Sequence, residues 1–412
     1  MNIERETMDK ITFVLPSRNN LEFLQLAYKS IRNLKTKHQL LILDDASTDG
    51  TNEWLLSLND SDVTIYSNPG PERIGIVGMF DRGIEMATTD IIFAFHADMV
   101  ASPNLDTNIL KHLKRGTVVC ATRVEPPLHP PGPEKITLPL GDEVEEFNYE
   151  SALVQLADLE MEYENKTTEG VFAPWCMFKD DYMSVGGHDP LFAPQSKEDS
   201  DLFNRFHLKG FSFIQSWDGL VYHFTSRGSR FNKKAGGDTG VNSQEWLHTT
   251  TKNGRNFIRK WGHFVKHDEY MKPIVPSRYN IGLVIKNCSL DKLPFLELFC
   301  DNIYCDVTNE GVQKYIQDEQ KNTPYNLSER ILSLEIEPTN DVVVYVDGNK
   351  IVSGSEEISM IQMIPEILDG NELDTGTYEV GTLKLIINRV QKYQDKLITI
   401  DILTSQNFII SI

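Results

Sequence analysis

The chain has 412 residues, with 40 lysines and arginines against 60 aspartates and glutamates and a formal net charge of −20. Such a surface repels nucleic acid and anionic membranes, so any nucleotide bound here needs a local metal or a basic loop, and the length calls for two or three domains rather than one core. Five cysteines (Cys120, Cys176, Cys288, Cys300, Cys305) form no CxxC or Cys/His zinc spacing and read as core thiols of a reducing compartment.

Met1 to Lys10 is charged and carries no apolar h-region, and no run approaches the ~20 apolar residues that span a bilayer. A cytoplasmic protein without a transmembrane segment is expected, which makes the sequons at Asn59, Asn165, Asn287 and Asn326 chance matches. Ile11 to Leu15 reads as a buried strand, Leu24, Ala27, Tyr28, Ile31 and Leu34 recur at helical spacing, and Leu40 to Leu43 is a second strand ending in Asp44-Asp45. Thr48 and Asp49 cap a helix carrying Trp54, Leu55 and Leu58. Val63 to Tyr66, Ile76 to Met86 and Ile91 to Phe95 follow as strand, helix and strand. Alternation of this kind predicts an α/β fold, a mostly parallel central sheet flanked by helices and joined by right-handed crossovers.

The Pro-rich stretch Glu125 to Pro133 breaks the alternation and predicts an extended surface loop. Beyond it, helices are predicted over Glu150 to Tyr163, Asp199 to Leu208 and Trp246 to Trp261, and strands over Val171 to Phe178 and Phe211 to Gln215. Texture changes near Lys272 to Pro276, where a boundary is placed. From Tyr279 a smaller set of strands begins, including Ile281 to Ile285 and Val342 to Val346, with further apolar runs at Leu383 to Ile387 and Leu397 to Ile402. No internal repeat is evident in the sequence of this tail.

Chemistry-bearing residues gather where apolar elements end. Asp44-Asp45 closes the second strand, where a carboxylate can accept from a nucleobase or a ribose hydroxyl; a turn and helix cap explain Thr48, Asp49 and Gly50 without needing two consecutive aspartates. His96 and Asp98, two apart after Phe95, fall on one side of a strand and offer an imidazole nitrogen and a carboxylate oxygen suited to Mn²⁺. The competing reading is an ordinary hydrogen-bonded strand end. Glu198 and Asp199 open a helix, which suits the macrodipole and also places a candidate general base. His223 follows the strand-like Leu220-Val221-Tyr222 and precedes Arg227, Arg230, Lys233 and Lys234; these cations suggest either a mobile loop that neutralises a diphosphate or plain solvated charge.

In this order the motifs resemble the family 2 glycosyltransferases with their A-type, Rossmann-like nucleotide-diphospho-sugar transferase fold. The pieces are Thr12 to Asn19, Leu43 to Gly50, Gly83 to Ala87 leading into Asp90-Ile91-Ile92 and His96-Ala97-Asp98, Val185 to Asp189, Glu198 to Leu202, His223 and Asn256 to Gly262, together covering about residues 9–265. The resemblance implies a catalytic domain over 1–270, its nucleotide-sugar half at about 1–123 and acceptor half at about 124–270, and a smaller C-terminal α+β domain over 275–412 whose role it leaves open among oligomerisation, acceptor binding and attachment to a larger assembly. It implies an inverting transfer from a nucleotide-diphospho-sugar, with a UDP-sugar expected, to a hydroxyl of a saccharide or glycoconjugate. Pro16, Arg18, Asp45, His96 and Asp98 would bind the donor, Asp98 and His223 the metal, and Asp199 would be the base; Trp175, His188 and Glu198 would lie near the acceptor. His96 stands where the family usually has Asp, which favours Mn²⁺ over Mg²⁺, and Asp81 stands where Asn is common. A sugar-1-phosphate nucleotidyltransferase would need a glycine-rich loop that Pro16 to Asn20 does not supply. A non-catalytic sugar-binding or structural module that keeps the fold is the alternative from a different class.

Overall fold

The computed structural model describes residues 10–227, 230–231, 233, 237–238, 240–287, 292–352 and 354–400. Cys288 and Lys234, both named above, lie outside the described residues. The chain divides into two compact units, the first comprising residues 1–250, 267–274 and 399–412, the second 251–266 and 275–398.

In the first unit, β1 (Ile11–Ser17), β2 (Gln39–Asp45), β3 (Val63–Asn68) and β4 (Ile91–Ala94) pair in parallel in the order β3-β2-β1-β4. β1, β2 and β4 are nearly continuous apolar runs because helices cover both sheet faces. On one face Phe13, Phe93 and Phe95 pack with Leu24, Ala27 and Ile31 of α1 (Leu21–Arg32). Asp49 accepts from the Leu21 N–H at 3.0 Å, an N-terminal cap delivered from the neighbouring loop. On the other face, α3 (Gly75–Met86), which follows the short α2 (Thr51–Ser57), presses Gly83 so close to the sheet that a Cβ there would sit 2.4 Å from a methyl of Val14.

The sheet continues past β4 through strands of mixed direction. β5 (Met99–Ala101), α4 (Leu105–Leu110), β6 (Thr117–Glu125), β7 (Lys135–Thr137), α5 (Tyr149–Glu162), β8 (Thr167–Thr168), β9 (Trp175–Phe178), α6 (Lys179–Met183), α7 (Glu198–Lys209), β10 (Ser212–His223) and α8 (Gln244–Trp261) complete the sequence of main elements. The full order is β3-β2-β1-β4-β9-β6-β10-β5, with β9 antiparallel to β4 and β6, and β5 antiparallel to β10. Several predicted strands shift their bounds. Of Val171 to Phe178 only β9 pairs as a strand, since Pro174 just before it has no N–H to offer a neighbour. Phe211 to Gln215 grows into β10, which absorbs Leu220-Val221-Tyr222 across a register shift between Ser216 and Leu220.

β4 and β5 are four places apart in this order yet joined by Phe95 to Asp98 alone. At about 4.8 Å per strand a flat sheet would put them roughly 19 Å apart, more than five Cα steps of about 3.5 Å reach. The link is not even extended, since the Met99 N–H bonds back to the His96 carbonyl at 3.2 Å. The sheet therefore curls until β5 meets α1, where Met99 and Ala101 join the Leu24 cluster and the Ala101 N–H bonds Ser30 Oγ at 2.9 Å.

The second unit has its own sheet, β13-β12-β11-β14-β16-β15, built from β11 (Ile281–Lys286), β12 (Asn302–Cys305), β13 (Ile331–Ser333), β14 (Val342–Asp347), β15 (Gly376–Val380) and β16 (Leu383–Ile387). Leu283, Ile303, Val344 and Leu385 are among its core residues. A buried ion cluster helps fix it: Glu297 takes Arg259 Nη2 at 2.8 Å, Arg330 Nε at 2.9 Å and the Tyr315 hydroxyl at 3.1 Å.

Candidate metal and transfer site

The short link between β4 and β5 presents His96 and Asp98, and the end of β10 presents His223. One ligand atom from each of these residues lies within 4.8 Å of the others, the one such cluster of three His, Cys, Asp or Glu ligands found among the described residues. Strand alternation is not what joins His96 to Asp98, because β4 has already ended at Ala94 and the two sit in a turn. Two imidazoles and a carboxylate form a nitrogen and oxygen donor set that a divalent transition-metal ion can take.

The surrounding contacts orient this trio. His223 Nδ1 lies 2.8 Å from Glu125 Oε1 at the end of β6, which leaves Nε2 facing Asp98 Oδ1 at 3.6 Å. Glu125 is buried and is held in turn by Lys135 Nζ at 2.9 Å and by the nearby Arg123 guanidinium. Burial opposes a charge on His223, but Asp98 and Glu125 on either side lift its pKa to about 9. Burial likewise works against ionisation of Asp98 and Glu125, and the His223 ring overrides it, holding both well below the usual carboxylate range. His96 goes the other way: burial lowers its pKa against the pull of Asp98, which favours the neutral ring that can ligate a metal.

Two strained turns aim the flanking loops. Thr225 and Ser226 are both left-handed, each with φ 61°, and they bring the Arg227 N–H onto Asp98 Oδ2 at 3.0 Å while the Phe224 N–H bonds the Asp98 carbonyl at 3.0 Å. Ser196 and Lys197, with φ 76° and 74°, precede α7 and set Glu198 and Asp199 at its first turn. Non-glycine residues so placed cost about 1–3 kcal/mol each and collect at functional sites. Asp199 acts electrostatically on His96. Burial, then the neighbouring Asp199, pushes the Glu198 carboxyl above its ordinary range.

Other residues singled out from the sequence fall into distinct settings. Pro16 sits one residue before the end of β1 and Arg18 just beyond it, with Arg18 Nη1 3.9 Å from Glu245. Asp45 is engaged by the protein itself: it accepts from the Ile74 and Gly75 N–H groups, each at 2.7 Å, and from Asn68 Nδ2 at 2.8 Å, thereby fastening the start of α3. By contrast Ser17 Oγ, Asp44 Oδ1, Glu198 Oε2 and Thr225 Oγ1 are buried without a hydrogen-bond partner among the described residues. These atoms belong to the ends of β1 and β2, to the Thr225-Ser226 turn and to the first residue of α7, and buried polar atoms left unsatisfied suit a bound ligand. Trp175 is 1% exposed and packs on Tyr182 and Phe206. His188 is 2% exposed, with Nδ1 2.8 Å from Asp81. Of the cations after His223, Arg227 is no loop charge: it is buried, and its Nη1 bonds Glu143 at 3.1 Å. Arg230 stacks on Trp246.

Sequence reasoning missed Glu125, whose signal was an acidic residue closing an apolar strand, obscured by the prolines that follow. It also missed the Asp81–Tyr182–His188 cluster, in which the Tyr182 hydroxyl contacts both partners.

Residues 12–159 match the model of the glycosyl transferase family 2, so the resemblance drawn from the motifs holds over that part of the 9–265 stretch. Undecaprenyl-phosphate mannosyltransferase of Micrococcus luteus is 22% identical over 120 residues, 28% of this chain and 49% of that protein. The chain thus spans about half the length of this curated relative. Similar solved structures include the mannosyltransferase PcManGT from Pyrobaculum calidifontis in complex with GDP-Man and Mn²⁺, with 16% identity, a TM-score of 0.41 and coverage of 65% of this chain and 68% of that one. GalNAc-T7 with UDP, GalNAc and Mn²⁺ has 12% identity, a TM-score of 0.42 and coverage of 59% and 47%. No helix among the described residues is long and apolar enough to cross a membrane.

Proposed function

We propose that this chain is a glycosyltransferase that moves a sugar from a nucleotide-diphospho-sugar to a hydroxyl of a saccharide or glycoconjugate, with inversion at the anomeric carbon. The convergence of His96, Asp98 and His223 beside a family 2 match carries the reading. His96, Asp98 and His223 would hold a divalent ion, and its chemistry there would be to supply positive charge opposite the departing diphosphate. Glu125 keeps the His223 ring turned toward Asp98, and the Arg227 amide keeps the Asp98 carboxylate in place. Asp199, at the first turn of α7, takes the proton of the acceptor hydroxyl as that oxygen attacks. The unpartnered Ser17, Asp44 and Thr225 oxygens are groups for the donor to satisfy.

UDP-sugars are the first donors to test and GDP-mannose the second. The experiment incubates the full chain with each nucleotide-sugar, with Mn²⁺ or with EDTA, and records thermal stabilisation together with release of the nucleoside diphosphate. A ligand that binds only the folded state raises its apparent stability. The expected result is a Mn²⁺-dependent shift and slow hydrolysis with one donor class. Absence of both the shift and the release with every donor would sink the proposal.

A further inference from the structure

Apart from the long β10 and the short β5, β7 and β8, which only the first has, the two units contain the same sheet. In the first, strands counted in chain order lie as third, second, first, fourth, sixth, fifth (β3-β2-β1-β4-β9-β6), and the sixth, β9, runs against both its neighbours. In the second they lie as third, second, first, fourth, sixth, fifth again (β13-β12-β11-β14-β16-β15), and the sixth, β16, again runs against both neighbours. The pairs β1-β2, β2-β3 and β1-β4 are parallel, as are β11-β12, β12-β13 and β11-β14.

The sequence supplies an independent match at the same place in each sheet. The second strand of one ends at Asp45, the first residue of Asp45-Ala46-Ser47-Thr48-Asp49-Gly50, and that of the other ends at Cys305, just before Asp306-Val307-Thr308-Asn309-Glu310-Gly311; the shared Asp-x-Ser/Thr-x-Asp/Glu-Gly pattern adjoins a helix both times, one starting at Thr51 after the pattern and the other at Glu310 within it. Within two residues of each first strand comes a left-handed asparagine, Asn19 with φ 51° and Asn287 with φ 58°. The fourth strand of one ends at Ala94, two residues before His96-Ala97-Asp98, and that of the other ends in Asp347, followed by Gly348-Asn349.

We infer that residues 281–387 are a second copy of the donor-half fold, kept as a scaffold and silent in sugar transfer. The copy lacks the parts that give the first its site. Between β13 and β14, residues 334–341 form no helix where the first unit has α3. Asp306 consequently closes its own turn, accepting from the Thr308 N–H at 3.0 Å and the Thr308 hydroxyl at 2.6 Å, whereas Asp45 reaches across to the α3 amides. Asp347 is engaged by the Asn349 N–H and by Asn287 Nδ2, each at 3.0 Å. The fifth strand, β15, is the edge of its sheet, where the first unit continues into β10 and its metal-ligand histidine.

Two measurements on the full chain test this. Tyr345 faces Lys384 across β14 and β16, and Lys384 faces Glu379 across β16 and β15. Tyr345→Cys with Lys384→Cys should therefore close a disulfide under mild oxidation. Tyr345→Cys with Glu379→Cys, two strands apart at about 10 Å, should not, since bridging needs Cα atoms within about 7 Å. A cross-link in the second pair, or in neither, overturns the shared order. For silence, UDP, GDP and Mn²⁺ isotherms of Asp306→Asn/Asp347→Asn should overlay those of the parent, whatever their level. A binding event present in the parent and removed in this variant overturns it. The cross-links involve the second unit alone, so they decide the copy whether or not transfer activity is found.

Discussion

Glu125→Ala removes the acceptor 2.8 Å from His223 Nδ1 and leaves Asp98, at 3.6 Å, as the nearest carboxylate to that ring. Among the described residues no other acceptor then holds Nδ1 and so turns Nε2 toward the candidate metal position. Loss of such an outer partner costs about 10–100-fold in metal affinity, or about 1.4–2.7 kcal/mol. Glu125→Gln keeps an acceptor for Nδ1–H and should fall at the small end of that range. Because Glu125 also pairs with buried Lys135 at 2.9 Å, Lys135→Met is the control: it removes the ion pair while sparing the histidine contact. Mn²⁺ titration followed by electron paramagnetic resonance on folded full-length protein reads all three. Affinity ordered parent, Lys135→Met, Glu125→Gln, Glu125→Ala is expected, the first two within about threefold. Parent-like affinity in Glu125→Ala, or an equal loss in Lys135→Met, would refute the positioning argument.

Asp199→Asn should abolish turnover, by about 10²-fold or more, while donor-induced thermal stabilisation is unchanged; full activity would remove Asp199 from the mechanism. Arg259→Ala leaves Glu297 buried with half its ion partners gone, and should lower the stability of the second unit by about 3–5 kcal/mol in urea unfolding followed by hydrogen exchange of β11 and β14. Acid stability has a marker in Asp60. Burial opposes its ionisation, but the Asp62 amide and Arg32 outweigh it and depress its pKa to about 2. A depressed carboxylate stabilises above its unfolded pKa and loses that contribution as pH falls through the folded one, here about 2 kcal/mol between roughly pH 4 and 2. Asp60→Asn should lose this at neutral pH and flatten the acid limb of a pH–stability curve.

Legibility followed burial. β1, β2 and β4 announce themselves because both sheet faces are covered and their middles are unbroken apolar runs, whereas β5, β7 and β8 are too short to show a period. His96, Asp98 and His223 were found by residue type and position after apolar runs, yet the geometry uniting them is a turn and a curled sheet that alternation does not describe. Asp45 looks free in the sequence because its partners, the Ile74 and Gly75 amides, come from a distant loop. Trp175 resembles a ligand-facing aromatic until Tyr182 and Phe206 are seen against it. The repeated sheet escaped detection because strand order is carried by pairing, while the two sequences share little more than the turn after the second strand.

The link Phe95 to Asp98 has two duties at once. It is the tether whose shortness bends the sheet, and it carries two of the three candidate metal ligands. Lengthening it by even one residue would slacken the curvature and move the ligands together, so evolution or engineering cannot retune the ion's cage here without reshaping the wall that β5 and α1 build behind it. Adjustment of metal preference at constant architecture is left to the third candidate ligand, His223, which arrives from a different strand.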